Sequence, residues 1–137
     1  MGRILAVDYG LKRTGLAVTD QLRIIATPLD TVATDVLLNY LKKYVQQEGV
    51  DEFVVGLPKN LRNDDTDMTP YVHTFVQSLK QAFPGKAVHL VDERFTSVMA
   101  KRALIDGGMK KKDRQVKGNV DRVSATIILQ SFLEAAG

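Results

Sequence analysis

Residues 4–18 read Ile4-Leu5-Ala6-Val7-Asp8-Tyr9-Gly10-Leu11-Lys12-Arg13-Thr14-Gly15-Leu16-Ala17-Val18, and this stretch decides the fold. Ile4 to Val7 is a short apolar run of the kind that forms a buried strand. It ends in a carboxylate, Asp8. Gly10 and Gly15 bracket a polar turn, and Leu16 onward begins a second strand that returns as a hairpin. Glycines beside a strand-tip acid suit a place where phosphate or metal comes close to the backbone. Taken alone, an Asp-x-Gly also serves simply to start a turn.

Outward from this hairpin, Gln21-Leu22-Arg23 reads as a turn and Ile24 to Val32 as a third strand, which Pro28 pushes to a sheet edge. Thr34 or Asp35 is placed to cap a helix carrying Leu37, Leu38, Leu41, Tyr44 and Val45 on one face, closed by Gly49. Phe53 to Pro58 has the β-branched and aromatic character of a central parallel strand. After the polar loop Asn60 to Asp67, Thr69 caps a second helix, with Pro70 at its first position and Val72, Phe75, Val76, Leu79 and Phe83 as its buried stripe, and Pro84-Gly85 ends it. Ala87 to Val91 is a further strand, followed by Asp92 and Glu93. Thr96 or Ser97 caps a third helix ending at Gly107-Gly108, and a last helix runs from about Asn119 to Ala135. The order β-β-β-α-β-α-β-α-α predicts an α/β fold, a mixed five-stranded sheet with helices packed on both faces. Residues 1–137 read as one domain, without linker or repeat.

Composition narrows the chemistry. The chain has 137 residues and no cysteine, which removes disulfides, thiolate metal sites and a cysteine nucleophile. No apolar run approaches the roughly 20 residues that span a bilayer, and no signal-like segment is present, so the expected location is cytoplasmic, with no membrane partner. With two histidines, zinc is disfavoured and any metal should have oxygen ligands. The formal net charge is +3. Between Asp106 and Gly118, five bases (Lys110, Lys111, Lys112, Arg114, Lys117) face two acids, so this one segment carries the whole excess. Such a concentration suits a polyanionic partner, although a solvated loop would look the same.

Three acids stand out by position. Asp8 ends the first strand, Glu93 follows the last, and parallel strands end on one side of a sheet. Asp121 precedes Ala125, Ile128 and Phe132 by 4, 7 and 11 residues, which places it on the inward stripe of the last helix. A charge there is costly unless something pairs with it. Divalent cations would reconcile all three, and carboxylate ligands suit magnesium or manganese. Two such ions about 3.5–4 Å apart activate water and stabilise the leaving oxygen in phosphodiester cleavage. Taken singly, the acids have plainer roles, Asp121 as a helix cap and Glu93 in an ion pair with Arg94 or Lys101. Lys12 and Arg13 are candidate phosphate contacts, as are Arg94, Thr96 and Ser97 beside Glu93, and Lys59 and Asn60 at the end of the central strand. His73 and His89 have no partner that the sequence identifies.

Four ordered motifs carry a resemblance over essentially the entire chain. Asp8-Tyr9-Gly10-Leu11-Lys12-Arg13-Thr14-Gly15, Val55-Gly56-Leu57-Pro58-Lys59-Asn60, Asp92-Glu93-Arg94-Phe95-Thr96-Ser97 and the helix beginning Asp121-Arg122-Val123-Ser124 together resemble the YqgF (RuvX) family. These are bacterial proteins with an RNase H-like fold, related to the RuvC resolvases. The resemblance implies a divalent-metal nuclease with Asp8, Glu93 and Asp121 as its acidic set and two ions, magnesium or manganese. It also implies a nucleic-acid partner. Members are described as processing the precursor of small-subunit ribosomal RNA and as Holliday junction resolvases. Where the family often has a glycine after Asn60, this chain reads Leu61-Arg62-Asn63-Asp64-Asp65, a departure that bears on substrate contact. Precursor RNA is the first expectation, branched DNA the second, and a non-catalytic RNA-binding module the third. A nucleotide-binding relative of the sugar kinases would share the opening turn but needs two such lobes. Junction resolution normally uses paired active sites, so both a monomer and a homodimer are compatible with the motifs.

Overall fold

The computed structural model describes residues 2–58, 67–92 and 117–136, with the backbone alone for 117–122 and 136. Five strands, β1 (Arg3–Asp8), β2 (Arg13–Thr19), β3 (Ala26–Ala33), β4 (Val50–Leu57) and β5 (Ala87–Asp92), form one sheet in the order β3-β2-β1-β4-β5. The β1–β2 and β2–β3 pairs are antiparallel, whereas β1–β4 and β4–β5 are parallel. The predicted mixed sheet is therefore present. β3 is an edge strand, as Pro28 requires, and the register slips there: Leu16 faces Asp30 but Ala17 faces Pro28, leaving Leu29 as the extra residue.

Alternation along the strands divides the core in two. Leu5 and Val7 of β1, with Leu16, Val18, Phe53 and Val55, pack against helices α1 (Leu37–Glu48) and α2 (Thr69–Ala82). Ile4 and Ala6, with Ala17 and Val54, pack on the other face against Ala125, Ile128 and Leu129 of α3 (Lys117–Ala136). The expected apolar stripes of all three helices are the ones that face the sheet. Phe53 is fully buried and meets Phe83 at 5.0 Å between ring centroids, closing the first layer where α2 ends. Gly49 and Gly85 adopt left-handed φ values of 66° and 88°, which explains why glycine ends each of these connections. The helix predicted after Thr96 lies outside the described residues. Among the described residues no helix is long and apolar enough to cross a membrane.

Two predicted caps are corrected. A 3-10 turn, Thr34–Val36, precedes α1, and neither it nor α1 has a side-chain cap. The Thr34 hydroxyl instead donates to the Gly10 carbonyl at 2.6 Å. Thr69 is the first residue of α2 rather than its cap, and its hydroxyl donates to the Pro58 carbonyl at 3.0 Å, tying the helix to the end of β4. Both hydroxyls serve tertiary structure where residue type suggested local capping.

On α1, Tyr40 is half-buried beside Asp30, and its phenol is pushed up to about 12, first by burial and then by that carboxylate, which accepts its hydrogen bond. The folded state therefore holds the proton that the unfolded chain gives up near the ordinary value of 10. This contribution is complete below pH 10 and disappears as pH rises towards 12. Urea unfolding at pH 9, 10.5 and 12 should show the stability difference between wild type and Tyr40→Phe changing in wild type's disfavour across that window.

Candidate active site at the carboxyl edge of the sheet

Asp8 is the last residue of β1, half-buried, at the edge where β4 and β5 also end. Val7 pairs with Val55 and Leu57 with Asp92, so Asp8, the end of β4 and the end of β5 lie within about a residue of one level. Two-residue periodicity then separates the acids. Asp8 shares its face with Ile4 and Ala6, the face covered by α3. Asp92 alternates with Val91, which packs on the α3 side, and shares its own side with Val88, which packs with the α1–α2 layer. Asp8 and Asp92 therefore lie on opposite faces of one edge.

The direction of α3 follows from its far end. Leu133, Glu134 and Gln130 line a cavity of about 380 Å³ together with Ile24, Ile25 and Ala26, and Ala26 pairs with Thr19. That is the end of the sheet away from Asp8, which pairs with Gly15, so the cavity is not the acidic site. From Leu133 back to Asp121 is about 18 Å of helix, against about 13 Å of strand from Thr19 to Gly15. The start of α3 thus extends towards the Asp8 edge. Asp121 occupies a helical position one turn before Ala125, which is fully buried against the sheet.

The turn after Asp8 is built from polar contacts. Gly10 N–H lies 3.5 Å from the Thr14 hydroxyl, which meets the Thr34 hydroxyl at 2.9 Å, and Thr34 donates in turn to Gly10 C=O. Thr34 N–H donates to the Lys12 carbonyl at 3.0 Å. Tyr9 stacks on Phe75 of α2 with ring centroids 4.9 Å apart. A Cβ at position 10 would overlap the Arg13 carbonyl oxygen, so close backbone approach explains the glycine. Leu11 at the tip is 56% exposed, so apolar burial does not hold this turn.

Of the predicted substrate contacts, Lys12 is exposed in the turn and Arg13 is half-buried as the first residue of β2, one step beyond the turn in which it was expected. Glu93, Lys59, Asn60, Arg94, Thr96, Ser97, Lys110, Lys111, Lys112 and Arg114 lie outside the described residues, and Lys117 opens α3. Among the described residues no three His, Cys, Asp or Glu side chains come together, and Asp8 is the one member of the acidic set whose side chain is described. Sequence reading missed Thr14 and Thr34, since Thr34 sits 24 residues from Gly10 and no local spacing links them. It also left His89 without a partner. The structure gives it Glu52 Oε1 at 2.8 Å from Nε2, with the ring tilted 38° against Phe132 at 4.7 Å between centroids. His73 is exposed on α2.

The strand order, the three-stranded antiparallel start and the helical layers on both faces define an RNase H-like protein. RuvC from Thermus thermophilus, solved in complex with a Holliday junction substrate, superposes with a TM-score of 0.59 at 16% identity, over 100% of this chain and 97% of that one. The yeast mitochondrial Holliday junction resolvase gives 0.57 at 10% identity, over 96% of this chain and 78% of that one. At these identities the likeness is one of fold. The family model RuvX, described as Holliday junction resolvase, matches residues 2–135, and the chain belongs to that family. Curated relatives named "putative pre-16S rRNA nuclease" include one from Phocaeicola vulgatus, 54% identical over 135 residues (98% of this chain, 97% of the relative), and one from Bacteroides fragilis, 52% identical over 134 residues (98% and 97%).

Replacing Gly10 by Ala should leave the core packed and disturb the turn. Unfolding by urea should show a loss of about 1–3 kcal/mol, with the near-ultraviolet signal of Tyr9 altered as its stack on Phe75 shifts.

Proposed function

We propose that this protein is a divalent-metal-dependent nuclease, and that its substrate is the precursor of 16S ribosomal RNA, processed towards its 5′ end. The observation that carries the reading is the position of Asp8: a carboxylate at the end of a strand buried on both faces, directed to the side covered by α3. Asp121, one turn before the buried part of that helix, and Glu93, which follows Asp92 in the chain, complete the set. Asp92 itself faces away, which leaves Glu93 as the partner from the β5 end.

The donors are all carboxylate oxygens, which fit a hard cation, and Asp8, Glu93 and Asp121 would hold Mg²⁺ or Mn²⁺. When bound, the ions supply a lowered water pKa and charge neutralisation at the scissile phosphate. The chain's own residues do the rest. Lys12 and Arg13, just past Asp8, bind and orient the phosphate. Lys59, Asn60, Arg94, Thr96 and Ser97 follow the other two strand ends and contact the neighbouring backbone. Lys110, Lys111, Lys112, Arg114 and Lys117 grip flanking phosphates, so affinity falls as a power of salt concentration.

RNA is preferred over branched DNA because the relatives above 50% identity carry the precursor-rRNA name, whereas the junction-bound neighbour shares 16%. A side-by-side assay on pre-16S rRNA and a four-way DNA junction, in Mg²⁺ and in Mn²⁺, tests both parts. Wild type should cleave the RNA. Asp8→Asn and Glu93→Gln should lose more than about 100-fold, the upper range for groups one shell further out, while retaining substrate binding and thermal stability. Asp92→Asn should stay within about threefold. Full activity in Asp8→Asn would refute the site, and cleavage confined to the junction would reverse the substrate.

A further inference from the structure

Gly10 has both of its backbone polar groups engaged by hydroxyls, and the protons in that contact can be assigned. A carbonyl only accepts, so the Thr34 proton points to Gly10 O across 2.6 Å. Thr34 therefore accepts from Thr14 at 2.9 Å, and Thr14, its own proton committed, accepts from Gly10 N–H at 3.5 Å. The three residues close a one-directional ring: Gly10 N–H to Thr14, Thr14 to Thr34, Thr34 to Gly10 C=O. Thr14 is fully buried, so water does not replace its share.

We infer that Thr34 is a positioning residue for the acidic site, acting through Gly10 to fix the turn that leaves Asp8. This rests on the nuclease reading. The turn has little apolar anchorage of its own: Leu11 points outward, and Tyr9 on Phe75 holds its first residue. β1–β2 pairing ends at Asp8 and Gly15, so the ladder does not reach residues 9–12. Among the described residues, what remains is the ring and the bond from Thr34 N–H to Lys12 C=O. Through one residue, the 3-10 turn after β3 holds the chain at Gly10, two residues past Asp8, and again at Lys12.

The two bonds separate in mutagenesis. Thr34→Val removes the hydroxyl and keeps both the shape and the N–H to Lys12, so it loosens the Gly10 side alone. Thr34→Ser restores the ring. In Mg²⁺-supported cleavage of pre-16S rRNA, Thr34→Val should lower kcat about 10- to 100-fold, leave KM within about twofold and raise the Mg²⁺ needed for half-maximal rate. Thr34→Ser should recover most of kcat. Independently of cleavage, the Gly10 amide should exchange with deuterium at least about 10-fold faster in Thr34→Val than in wild type, and not in Thr34→Ser. Should the valine variant fold poorly, Thr34→Ala, whose smaller side chain admits water, should show the same kcat loss and faster exchange. Unchanged exchange at Gly10, equal losses in the Val and Ser variants, or a fall in KM-linked binding with kcat intact would each overturn the assignment. Absence of cleavage by wild type would instead sink the nuclease reading, with the exchange experiment still deciding the role of Thr34.

Discussion

The structure depends on β1 being covered from every direction. It lies between β2 and β4, with α1 and α2 over one face and α3 over the other, and Leu5, Ala6 and Val7 are wholly inaccessible. Burying such a run contributes roughly 1.5–3 kcal/mol for each large side chain, enough to fix which residue comes last. That residue is a carboxylate that does not belong in the apolar interior. Its face is set by the pleat: with Ile4 and Ala6 turned towards α3, Asp8 turns the same way. Ala6, Ala17 and Ala125 on that side are small and let α3 lie close to the sheet between the larger Ile4, Val54, Ile128 and Leu129.

The two ends of the sheet are built differently. At the end away from Asp8, Arg23 in the β2–β3 turn adopts a left-handed φ of 60° and reaches Gly2 O at 2.8 Å, Glu52, and Asp51 at 3.6 Å. Glu52 also contacts His89 on β5, whose ring lies on Phe132 of α3. One side-chain chain thus ties the amino terminus, β4, β5 and α3. A left-handed non-glycine residue costs about 1–2 kcal/mol, and charge-assisted hydrogen bonds of about 1.5–3 kcal/mol each offset it. At the Asp8 edge, among the described residues, the turn is held by the Thr14 and Thr34 hydroxyls and by the stack of Tyr9 on Phe75.

Much of this was readable from periodicity. Strands β4 and β5, the three buried helix stripes and the edge position forced by Pro28 all follow from spacings of two or of three to four residues. The failures share one cause. Thr34 and Thr69 have the residue type and position of helix caps, but Gly10 O and Pro58 O stood closer and took their hydroxyls. His89 looked unpartnered because Glu52 lies 37 residues earlier and meets it through the β4–β5 register. Asp92 sits beside an equally acidic neighbour in sequence, and the packing of Val88 and Val91 on opposite faces is what puts Asp92 on the α1–α2 side. Local pattern fixes which face a residue takes. Which polar groups meet across that face depends on strand order, and no short window of sequence contains it.

That division bears on how the Asp8 turn is held. On the proposed nuclease reading, a segment that admits phosphates and a cation cannot be anchored by an apolar plug without excluding the ligand's hydration, and a turn anchored by charge would compete for the ligand itself. Neutral hydroxyls avoid both conflicts. Thr14 and Thr34 occupy both polar groups of Gly10 without adding charge within reach of Asp8, and they approach from the α1 side of the hairpin while Asp8 faces α3. Tyr9 adds an aromatic anchor on the same α1–α2 side, through Phe75. Among the described residues, the turn is therefore fastened from the α1–α2 side, and the carboxylate lies on the other face.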